Sequence, residues 1–341
     1  MGVDLNRLLS SQPLSEFEAQ EWMFAQLNGD LTPIQMAAVL TALRVRGETV
    51  AEITGFAKAM RERAVRVHVK PGVLVDTCGA GGSGVSVFNI STAAAFVVAA
   101  SGLRVAKHGN RTATRKSGSA DLFEAIGVKL EMTPEQLAES IDTIGIAFLF
   151  ARNHHPAMRF AAPVRAELGV PTVFNILGPM TNPAGATHQL LGVPRPELLR
   201  PMVEVLRNLG TTGAMLVHGV ALGGIRYDDI SVAGTTSVAE LRNGEILEYS
   251  LEPEDLGLMR HAPELLLGGT PAENAVTVRA VLGGGGTAAQ RDAVAANAAG
   301  AIYTAGGADS LKNAVVLALE ILESGAALSK LEAYVKFSQG L

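Results

Sequence analysis

The sequence predicts an α/β protein with a mainly parallel sheet flanked by helices and a smaller all-helical subdomain. Residues 1–70 carry helix signals without strand-like alternation, and from residue 73 short β-rich runs alternate with helical stretches. Two polar loops rich in Gly, Ser, Thr and Asn follow apolar runs within residues 76–121. Such alternation is typical of parallel strands joined by crossover helices, and loops at the strand ends are where these sheets bind phosphates.

The helical subdomain is predicted from its capping signals. In a capping box, an N-cap Ser or Thr and a Glu or Gln three residues later satisfy each other's amides. The pattern occurs at Ser15 with Glu18, Thr32 with Gln35, and Thr49 with Glu52. A proline-rich segment near residues 160–190 interrupts the later alternation, so we expect it to return to this subdomain. The predicted division is a helical subdomain at 1–70 and an α/β domain at 71–341.

The elements of the α/β domain follow from the rhythm of apolar runs. Strands are predicted at residues 73–77, 103–106, 128–131, 147–150 and 214–218. Helices are predicted from about residue 92, from about 119, after residue 133, and at 196–209, 287–304 and 310–324. Asn243-Gly244 lies between alternating runs and predicts a β-hairpin within residues 237–250.

Composition restricts the class of protein. With 341 residues, 48% apolar and 18% charged, the chain has the composition of a globular protein with a sizeable core. The net charge of −5 argues against general nucleic-acid binding. Cys78 is the single cysteine, which excludes an intrachain disulfide, and no signal-peptide pattern or bilayer-length apolar stretch occurs. We therefore expect a cytoplasmic protein that binds neither nucleic acid nor membrane.

The first polar loop, residues 79–84, reads GAGGSG and matches the GxGxxG pattern of dinucleotide sites. Two features oppose that interpretation. The next helix is predicted to begin about eight residues later, and the second strand ends in Lys107-His108 instead of the acidic residue that would bind a ribose. A tight turn alone explains one or two glycines but not four. A phosphate-binding loop is therefore favoured.

Polar residues continue from this loop into the next helix and recur after the second strand. Asn89, Ser91 and Thr92 exceed what plain N-capping needs, and they suit a phosphate and a hydrated metal. Residues 107–116 carry four Lys or Arg side chains on an otherwise acidic chain. A solvated face is the ordinary explanation of a charge run. Because these cations lie between a strand and a capped helix, a pyrophosphate site is the second explanation.

Two further groups suggest ligands of opposite charge. Arg165 lies in the proline-rich segment, and His155 and Arg159 lie just before it. Either arginine is a surface residue or its planar fork binds a carboxylate. Asp228 and Asp229 follow a predicted strand. Adjacent acids in loops are usually solvated caps, but opposite a phosphate site paired carboxylates commonly bind Mg²⁺.

Together these segments resemble the anthranilate phosphoribosyltransferase family along nearly the whole chain. The resemblance lies in GAGGSGVSVFNIST (79–92), KHGNR (107–111), GSAD (118–121), HPAMR (155–159), PVRAELG (163–169), FNILGP (174–179) and NPA (182–184). It implies an α/β phosphoribosyl-donor-binding domain, a helical subdomain, and an active site in the cleft between them. It also implies a homodimer formed through the helical subdomain, and Mg²⁺-assisted transfer of the phosphoribosyl group from phosphoribosyl pyrophosphate to anthranilate in tryptophan biosynthesis.

The resemblance also assigns site residues. Those implied for the donor are Gly79, Gly82, Ser83, Val87, Asn89, Ile90, Ser91, Thr92, Lys107, His108, Gly109, Asn110, Arg111, Thr112, Ala113, Thr114, Arg115 and Ser119. Those implied for anthranilate are Gly79, Asn110, His155 and Arg165, with Arg165 facing the carboxylate. Those implied for the metal are Ser91, Asp228 and Asp229. No side chain is assigned as a nucleophile or a general base; catalysis is expected from positioning and charge stabilisation.

The chain departs from the family pattern in the donor loops. Ala80, Ser83 and Val87 stand where the family has Thr, Asp and Thr, and Thr114-Arg115 replaces a serine pair. Ser83 in place of an acid and Arg115 in place of a serine make the donor pocket more positive. We therefore hypothesise that donor binding depends more on Arg115 and less on metal. The departures leave open another aromatic amine as acceptor. A nucleoside phosphorylase of related fold, a nucleic-acid-binding relative and an NAD-linked oxidoreductase are the remaining alternatives.

Overall fold

The computed structural model describes residues 5–82, 84–112 and 116–340. The chain begins with a helical subdomain of α1 (Leu5–Leu9), α2 (Glu16–Asn28), α3 (Pro33–Arg46) and α4 (Val50–Arg63). All three predicted capping boxes are confirmed at the starts of α2, α3 and α4. Glycines end two of these helices, and α2 packs against α4 along its length.

The α/β domain contains a mixed, mainly parallel sheet, which confirms the predicted fold class. Its strands are β1 (Leu74–Gly79), β2 (Arg104–Gly109), β3 (Ile146–Phe150), β4 (His188–Gly192), β5 (Gly213–Ala221), β6 (Arg226–Tyr227), β7 (Gly234–Arg242) and β8 (Glu245–Leu251). The order is β3-β2-β1-β4-β5-β7-β8, with β6 paired to β5. The pairs from β3 to β5 are parallel, and those of β6, β7 and β8 are antiparallel.

Helices connect and cover these strands. Those of the α/β domain and of the proline-rich segment are α5 (Ile90–Ala100), α6 (Ser119–Ala125), α7 (Pro134–Thr143), α8 (Ala151–His154), α9 (Ala162–Leu168), α10 (Phe174–Leu177), α11 (Leu199–Asn208), α12 (Pro271–Leu282), α13 (Ala288–Thr304), α14 (Leu311–Glu323) and α15 (Ala326–Ser338). The Ala-rich α5 is buried among α13, α15 and the strands β1 and β2. Its small side chains allow this close packing on several sides. Among the described residues, no helix is long and apolar enough to cross a membrane.

Several element predictions are confirmed and others are wrong. The hairpin turns at Asn243 and Gly244, both of which have positive φ. The strand predicted at 128–131 is absent: Val128 donates its N–H to the Phe123 carbonyl at 2.9 Å, and the segment runs irregularly into α7. Three elements, β4, α12 and α15, were not predicted from the sequence. The helix predicted from about Thr92 is α5, which begins at Ile90. β4 was missed because its apolar run is only a few residues long and adjoins the proline-rich segment.

The helical subdomain and the sheet share a core. Apolar residues of α2, α3 and α4 form one cluster with Val164, Phe174 and Leu177 of the proline-rich segment and with Leu191 and Leu216 of β4 and β5. The second cluster lies on the other side of the sheet, around α5 and α13. Burial of apolar area between the two subdomains stabilises one arrangement of them. The walls of the cleft between them are therefore held at a set separation.

Candidate active site

The candidate site lies where the order of the strands reverses. From β1 the chain builds outward to β2 and β3, then crosses back to place β4 on the opposite side of β1. Crevices at the carboxyl ends of strands beside such a reversal are the usual ligand sites of open α/β sheets. A cavity of about 640 Å³ lies there, lined by residues that follow β1, β2 and β4 and by the helical subdomain.

The glycine loop after β1 passes very close to the acidic pair. Gly81 and Gly82 have positive φ, which side chains rarely adopt. The Gly81 N–H donates to Asp228 Oδ2 at 3.2 Å. A Cβ on Gly79 would overlap the same carboxylate. The loop is therefore shaped both by its own backbone and by Asp228, which lies far away in sequence.

The polar residues before α5 do not act as a simple helix cap. Asn89 occupies the N-cap position, but its side chain makes no capping bond. Instead, Asn89 Oδ1 accepts from Ser117 Oγ at 3.1 Å and from Asn274 Nδ2 at 3.0 Å. The plain-capping explanation of Asn89 is therefore wrong. The side chain joins the glycine loop, the second polar loop and α12 at the wall of the cavity.

Lys107 supports the site from behind and does not line the cavity. Its side chain is 1% exposed, and its ammonium donates to the Thr77 carbonyl and, at 3.3 Å, to Ser91 Oγ. Asp76 lies nearby, fully buried, and accepts from the His108 N–H at 3.1 Å and from Asn182 Nδ2 at 2.9 Å. Burial raises the pKa of Asp76 to about 6, against the lowering effects of these bonds and of Lys107.

In its described part, the second polar loop contributes backbone, uncharged side chains and Arg111 to the cavity. Arg111 pairs with Asp121 at 2.8 Å and with Glu124 at 2.6 Å, so its charge is compensated. Asn110 Oδ1 accepts from the Arg111 N–H at 2.8 Å. A Cβ on Gly118 would approach the Arg111 and Thr112 backbone within 2.9 Å, so only glycine allows the loop to fold back here.

The acidic pair has the chemistry of a magnesium site. Asp228 and Asp229 are 4% and 7% exposed, and both line the cavity with Ser91. The buried Asn297 fixes the following residue, accepting from the Ile230 N–H at 2.9 Å and donating to the Ile230 carbonyl at 3.0 Å. Among the described residues, no group of three or more His, Cys, Asp or Glu side chains is arranged so that it could hold a metal ion. Two carboxylates and a hydroxyl fit Mg²⁺, which characteristically combines few protein ligands with phosphates of the substrate.

Two histidine rings lie in tilted contact beside the cavity. The rings of His108 and His155 are 5.4 Å apart at 59°, and each has a buried Nε2 without a hydrogen-bond partner in the described part of the chain. Burial, with the neighbouring histidines, lowers the pKa of His155 to about 4 and that of His108 well below its usual value. Both rings are therefore neutral at pH 7, and they form an aromatic surface with unused acceptors.

Most residues implied by the resemblance line this cavity. They are Gly79, Gly82, Val87, Asn89, Ile90, Ser91, His108, Gly109, Asn110, Arg111, Thr112, Ser119, Asp228 and Asp229. Thr92, Lys107, His155 and Arg165 lie outside its lining. Arg165 packs instead over the Phe174 ring, 5.2 Å from its centroid. Four of the implied residues lie outside the described part of the chain: Ser83, Ala113, Thr114 and Arg115. The hypothesis that the donor pocket depends on Arg115 therefore stays a prediction.

The sequence reading missed one whole side of the cavity. Arg44 and Glu48 reach it from the end of α3. Pro194 and Arg195 reach it from the loop after β4. The proline-rich segment contributes residues 171–173, 175 and 176. A correct prediction of β4 would have indicated Pro194 and Arg195, because they follow its carboxyl end. No local signal distinguishes Arg44 or Glu48 from other charged residues of a helix terminus.

Comparisons with known proteins agree with this architecture. Two family models match, described as "Glycosyl transferase family, helical bundle domain" over residues 5–64 and "Glycosyl transferase family, a/b domain" over residues 71–328. An anthranilate phosphoribosyltransferase of Rubrobacter xylanophilus is 52% identical over 337 residues, 99% of this chain and 97% of the relative.

Solved structures are similar over the same length. Anthranilate phosphoribosyltransferase from Thermus thermophilus superposes with a TM-score of 0.92 at 47% identity, covering 98% of this chain and 99% of that one. The Saccharomyces cerevisiae enzyme in complex with PRPP and Mg has a TM-score of 0.88 at 28% identity, with 99% and 97% covered. The same yeast enzyme in complex with 4-fluoroanthranilate has a TM-score of 0.85 at 27% identity, again with 99% and 97% covered.

Proposed function

We propose the following activity for this chain, which belongs to the anthranilate phosphoribosyltransferase family. It transfers the 5-phosphoribosyl group from phosphoribosyl pyrophosphate to the amine of anthranilate, giving N-(5-phosphoribosyl)anthranilate and pyrophosphate, a step of tryptophan biosynthesis. One observation carries the proposal: a single cavity at the strand reversal joins the glycine loop, the loop after β2 and the acidic pair. The proposal accounts for this combination of a phosphate-binding loop with paired carboxylates.

The donor is proposed to bind along the two polar loops. The glycine loop offers backbone N–H groups, and Asn89, Ser91 and Ser119 line the same wall beside the first turns of α5 and α6. Helix N-termini favour anions because their first amides are unpaired. Arg111 is paired with Asp121 and Glu124, and the backbone amides and hydroxyls of these loops are proposed to contact the phosphates directly.

Asp228, Asp229 and Ser91 are the proposed metal-binding residues. Their oxygen atoms fit Mg²⁺, and the burial of both carboxylates in the cavity supports the assignment. When bound, Mg²⁺ neutralises charge on the pyrophosphate leaving group. The protein's own contribution is to keep the two acids near the glycine loop, through the Gly81–Asp228 hydrogen bond and the bonds between Asn297 and Ile230.

The acceptor is proposed to lie between the helical subdomain and the second polar loop. Asn110 lines the cavity, and the neutral pair His108 and His155 gives an aromatic surface beside it. Arg165 is proposed to bind the carboxylate. Burial lowers the pKa of its guanidinium, and the same low-dielectric surroundings strengthen the attraction between this cation and a bound carboxylate.

The reaction forms a bond between the amine nitrogen and the anomeric carbon while the bond from that carbon to pyrophosphate breaks. The amine loses one proton, and pyrophosphate leaves with the bonding electrons. The donor loops and the acidic pair stabilise the leaving group, and the cleft holds the amine in line with the carbon. No side chain needs to act as a covalent nucleophile.

The decisive experiment combines the purified protein with anthranilate, phosphoribosyl pyrophosphate and Mg²⁺. We expect the fluorescence of anthranilate to fall while pyrophosphate appears in equal amount, and we expect neither change without Mg²⁺. Asp228→Asn with Asp229→Asn serves as the inactive control. If the protein consumed a different arylamine and left anthranilate intact, that arylamine would replace anthranilate as the assigned acceptor. Release of a free base from a nucleoside by phosphate would overturn the proposal.

The proposal extends to a homodimer in the cytoplasm. Helices α1 to α3 expose large apolar side chains, with Ile34 and Val45 each 82% exposed and Leu9 and Phe17 also outward-facing. Burial of these exposed side chains against a second copy of the chain would give the dimer its apolar contact. A cytoplasmic location is supported by the donor's chemistry, since a multiply charged sugar phosphate does not cross a bilayer unaided.

A further inference from the structure

Asn274 is a buried polar residue that the proposed function leaves without a role. It lies in the first turn of α12, is 2% exposed, and stands behind the cavity wall without lining it. Its side chain makes two hydrogen bonds. Oδ1 accepts from the Gly269 N–H at 2.8 Å, and Nδ2 donates to Asn89 Oδ1 at 3.0 Å.

These bonds determine which way both amides face. A backbone N–H is only a donor, so the atom of Asn274 next to Gly269 must be its oxygen. The NH₂ group of Asn274 therefore points at Asn89, and the atom of Asn89 that receives it must also be oxygen. The Ser117 hydroxyl, at 3.1 Å from the same Asn89 oxygen, agrees with this orientation.

The consequence is that Asn89 keeps its NH₂ group for another partner. Within the described residues, Asn89 Nδ2 has only one partner, the Ser117 carbonyl at a long 3.4 Å. The side chain lines the cavity beside the first turn of α5. An NH₂ group there suits an anionic oxygen, whereas the reversed amide would present a carbonyl oxygen that repels it.

The segment before α12 brings Asn274 to this position. Gly268 donates to the Ser86 carbonyl at 2.8 Å, and the Phe88 N–H donates to the Leu266 carbonyl at 3.1 Å. A Cβ on Gly268 would lie 2.6 Å from the backbone of residues 87 and 88, so glycine is needed for the approach. This short antiparallel contact fixes Gly269 and α12 against the glycine loop.

We propose that Asn274 is a positioning residue that orients the amide of Asn89, so that Asn89 donates its NH₂ group to a phosphate oxygen of the donor. This inference rests on the proposed function, since it assumes that a phosphorylated donor binds at Asn89. Asn274 itself does not touch the ligand. The Gly269 N–H orients the amide of Asn274, Asn274 orients the amide of Asn89, and Asn89 contacts the ligand.

The test is a double-mutant cycle on Asn274 and Asn89. Isothermal calorimetry measures the affinity for phosphoribosyl pyrophosphate in the presence of Mg²⁺, and steady-state kinetics give the KM for phosphoribosyl pyrophosphate and the KM for anthranilate. Asn274→Ala removes one constraint on Asn89, and we expect donor affinity to fall about tenfold, as for the loss of one hydrogen bond to a charged group. Asn274→Asp keeps the size and the Gly269 bond but cannot donate. Asn89 then reverses its amide, and we expect the larger loss from this variant. The KM for anthranilate should change less than twofold in both.

In an Asn89→Ala background, Asn274→Ala should have no further effect on donor affinity, and any loss that Asn274→Asp still causes measures repulsion between its added charge and the anionic donor. Asn313→Ala, on the exposed face of α14, is the control and should bind the donor as the unmodified protein does. Thermal unfolding measurements show whether each variant is folded. If Asn274→Ala does not fold, donor binding to the isosteric Asn274→Asp is the measurement that decides.

A structural role alone would make Asn274→Ala the more damaging variant and would leave its effect intact in the Asn89→Ala background. Either result overturns the inference, as does unchanged donor affinity in Asn274→Asp. Absence of donor binding in the unmodified protein would instead refute the proposed function. The two failures are therefore distinguishable.

Discussion

Gly192, the last residue of β4, lies against the backbone of Asp228, and a side chain at Gly192 would overlap the Asp228 carbonyl. Gly79, its pairing partner on β1, approaches the Asp228 carboxylate in the same way. The acidic pair therefore occupies space that two glycines leave open at the ends of adjacent strands. The position of the proposed metal-binding acid depends on these two missing side chains.

Gly192→Ala is expected to displace the acidic loop and to raise the Mg²⁺ concentration needed for half-maximal activity at least about tenfold, comparable to loss of a charged ligand contact. A titration of activity with Mg²⁺ measures this. The control is Gly283→Ala, remote from the cavity, whose new methyl would meet the end of the Leu328 side chain at 3.1 Å and the Arg279 carbonyl oxygen at an ordinary 3.4 Å. Equal Mg²⁺ dependence in Gly192→Ala and the unmodified protein would contradict the prediction.

Lys107→Met is expected to act through Ser91 and Asp76. The substitution removes the donor to Ser91 Oγ and leaves the buried Asp76 without its nearest cation. Without this cation the buried Asp76 carboxylate is less favourable in its charged form, and the Thr77 carbonyl loses its donor, so the unfolding temperature should fall. Mg²⁺ titrations should also give similar shifts for Lys107→Met, Ser91→Ala and the double variant. Independent, multiplying effects would instead favour direct contact of Lys107 with the donor.

Acid should destabilise the fold through its buried histidines. The pKa of His155 is about 4 in the folded protein against 6.5 for the ordinary side chain, because burial disfavours the charged form. Between these values the unfolded chain binds the proton and the folded protein does not, so stability falls as pH falls from 6.5 to 4. His155→Gln removes one such group and should lower the loss by about 3 kcal/mol. The unfolding temperatures of the unmodified protein and of His155→Gln at pH 7 and pH 4.5 measure this difference. An equal loss of stability in the two proteins on acidification would contradict the prediction.

Arg61 should hold the helical subdomain on the sheet. Its Nε donates to the Met180 carbonyl at 2.6 Å and its Nη1 to the Leu209 carbonyl at 3.1 Å, and burial lowers its pKa to about 10. Arg61→Lys keeps the charge but cannot make both bonds, so we expect a loss of about 2 kcal/mol of stability. Arg66→Lys on the exposed linker is the matched control. Identical unfolding curves for the two variants would refute this role.

The proposed dimer predicts that charge on the helical subdomain separates the chains. Ile34→Glu and Val45→Glu should convert a dimer to a monomer at micromolar concentration, because each buries a charge in an apolar contact. Analytical ultracentrifugation measures the mass. Val316→Glu, on the half-exposed face of α14, should leave it unchanged. A monomeric unmodified protein, or dimers in both variants, would refute the proposed interface.

The predictions from sequence succeeded where the signal was local. The capping boxes of α2, α3 and α4 were correct because each depends on residues three apart. The hairpin at Asn243-Gly244 was correct because two residues determine the turn. The strand at 128–131 was wrong, because alternating apolar residues are equally compatible with an irregular segment packed on the core. β4 was missed although it is a central strand, because its apolar run is short.

The sequence by itself determined the fold class, the resemblance to the family, and the two polar loops with the acidic pair. Only the tertiary structure decided that Lys107 lies behind the cavity, that Arg44 and Pro194 line it, and that Asn274 contacts Asn89 across 185 positions of the chain. The physical reason is that capping, turns and strand alternation are short-range. The neighbours of a side chain at the end of a strand are set instead by the order of the strands, which brings distant segments to one edge of the sheet.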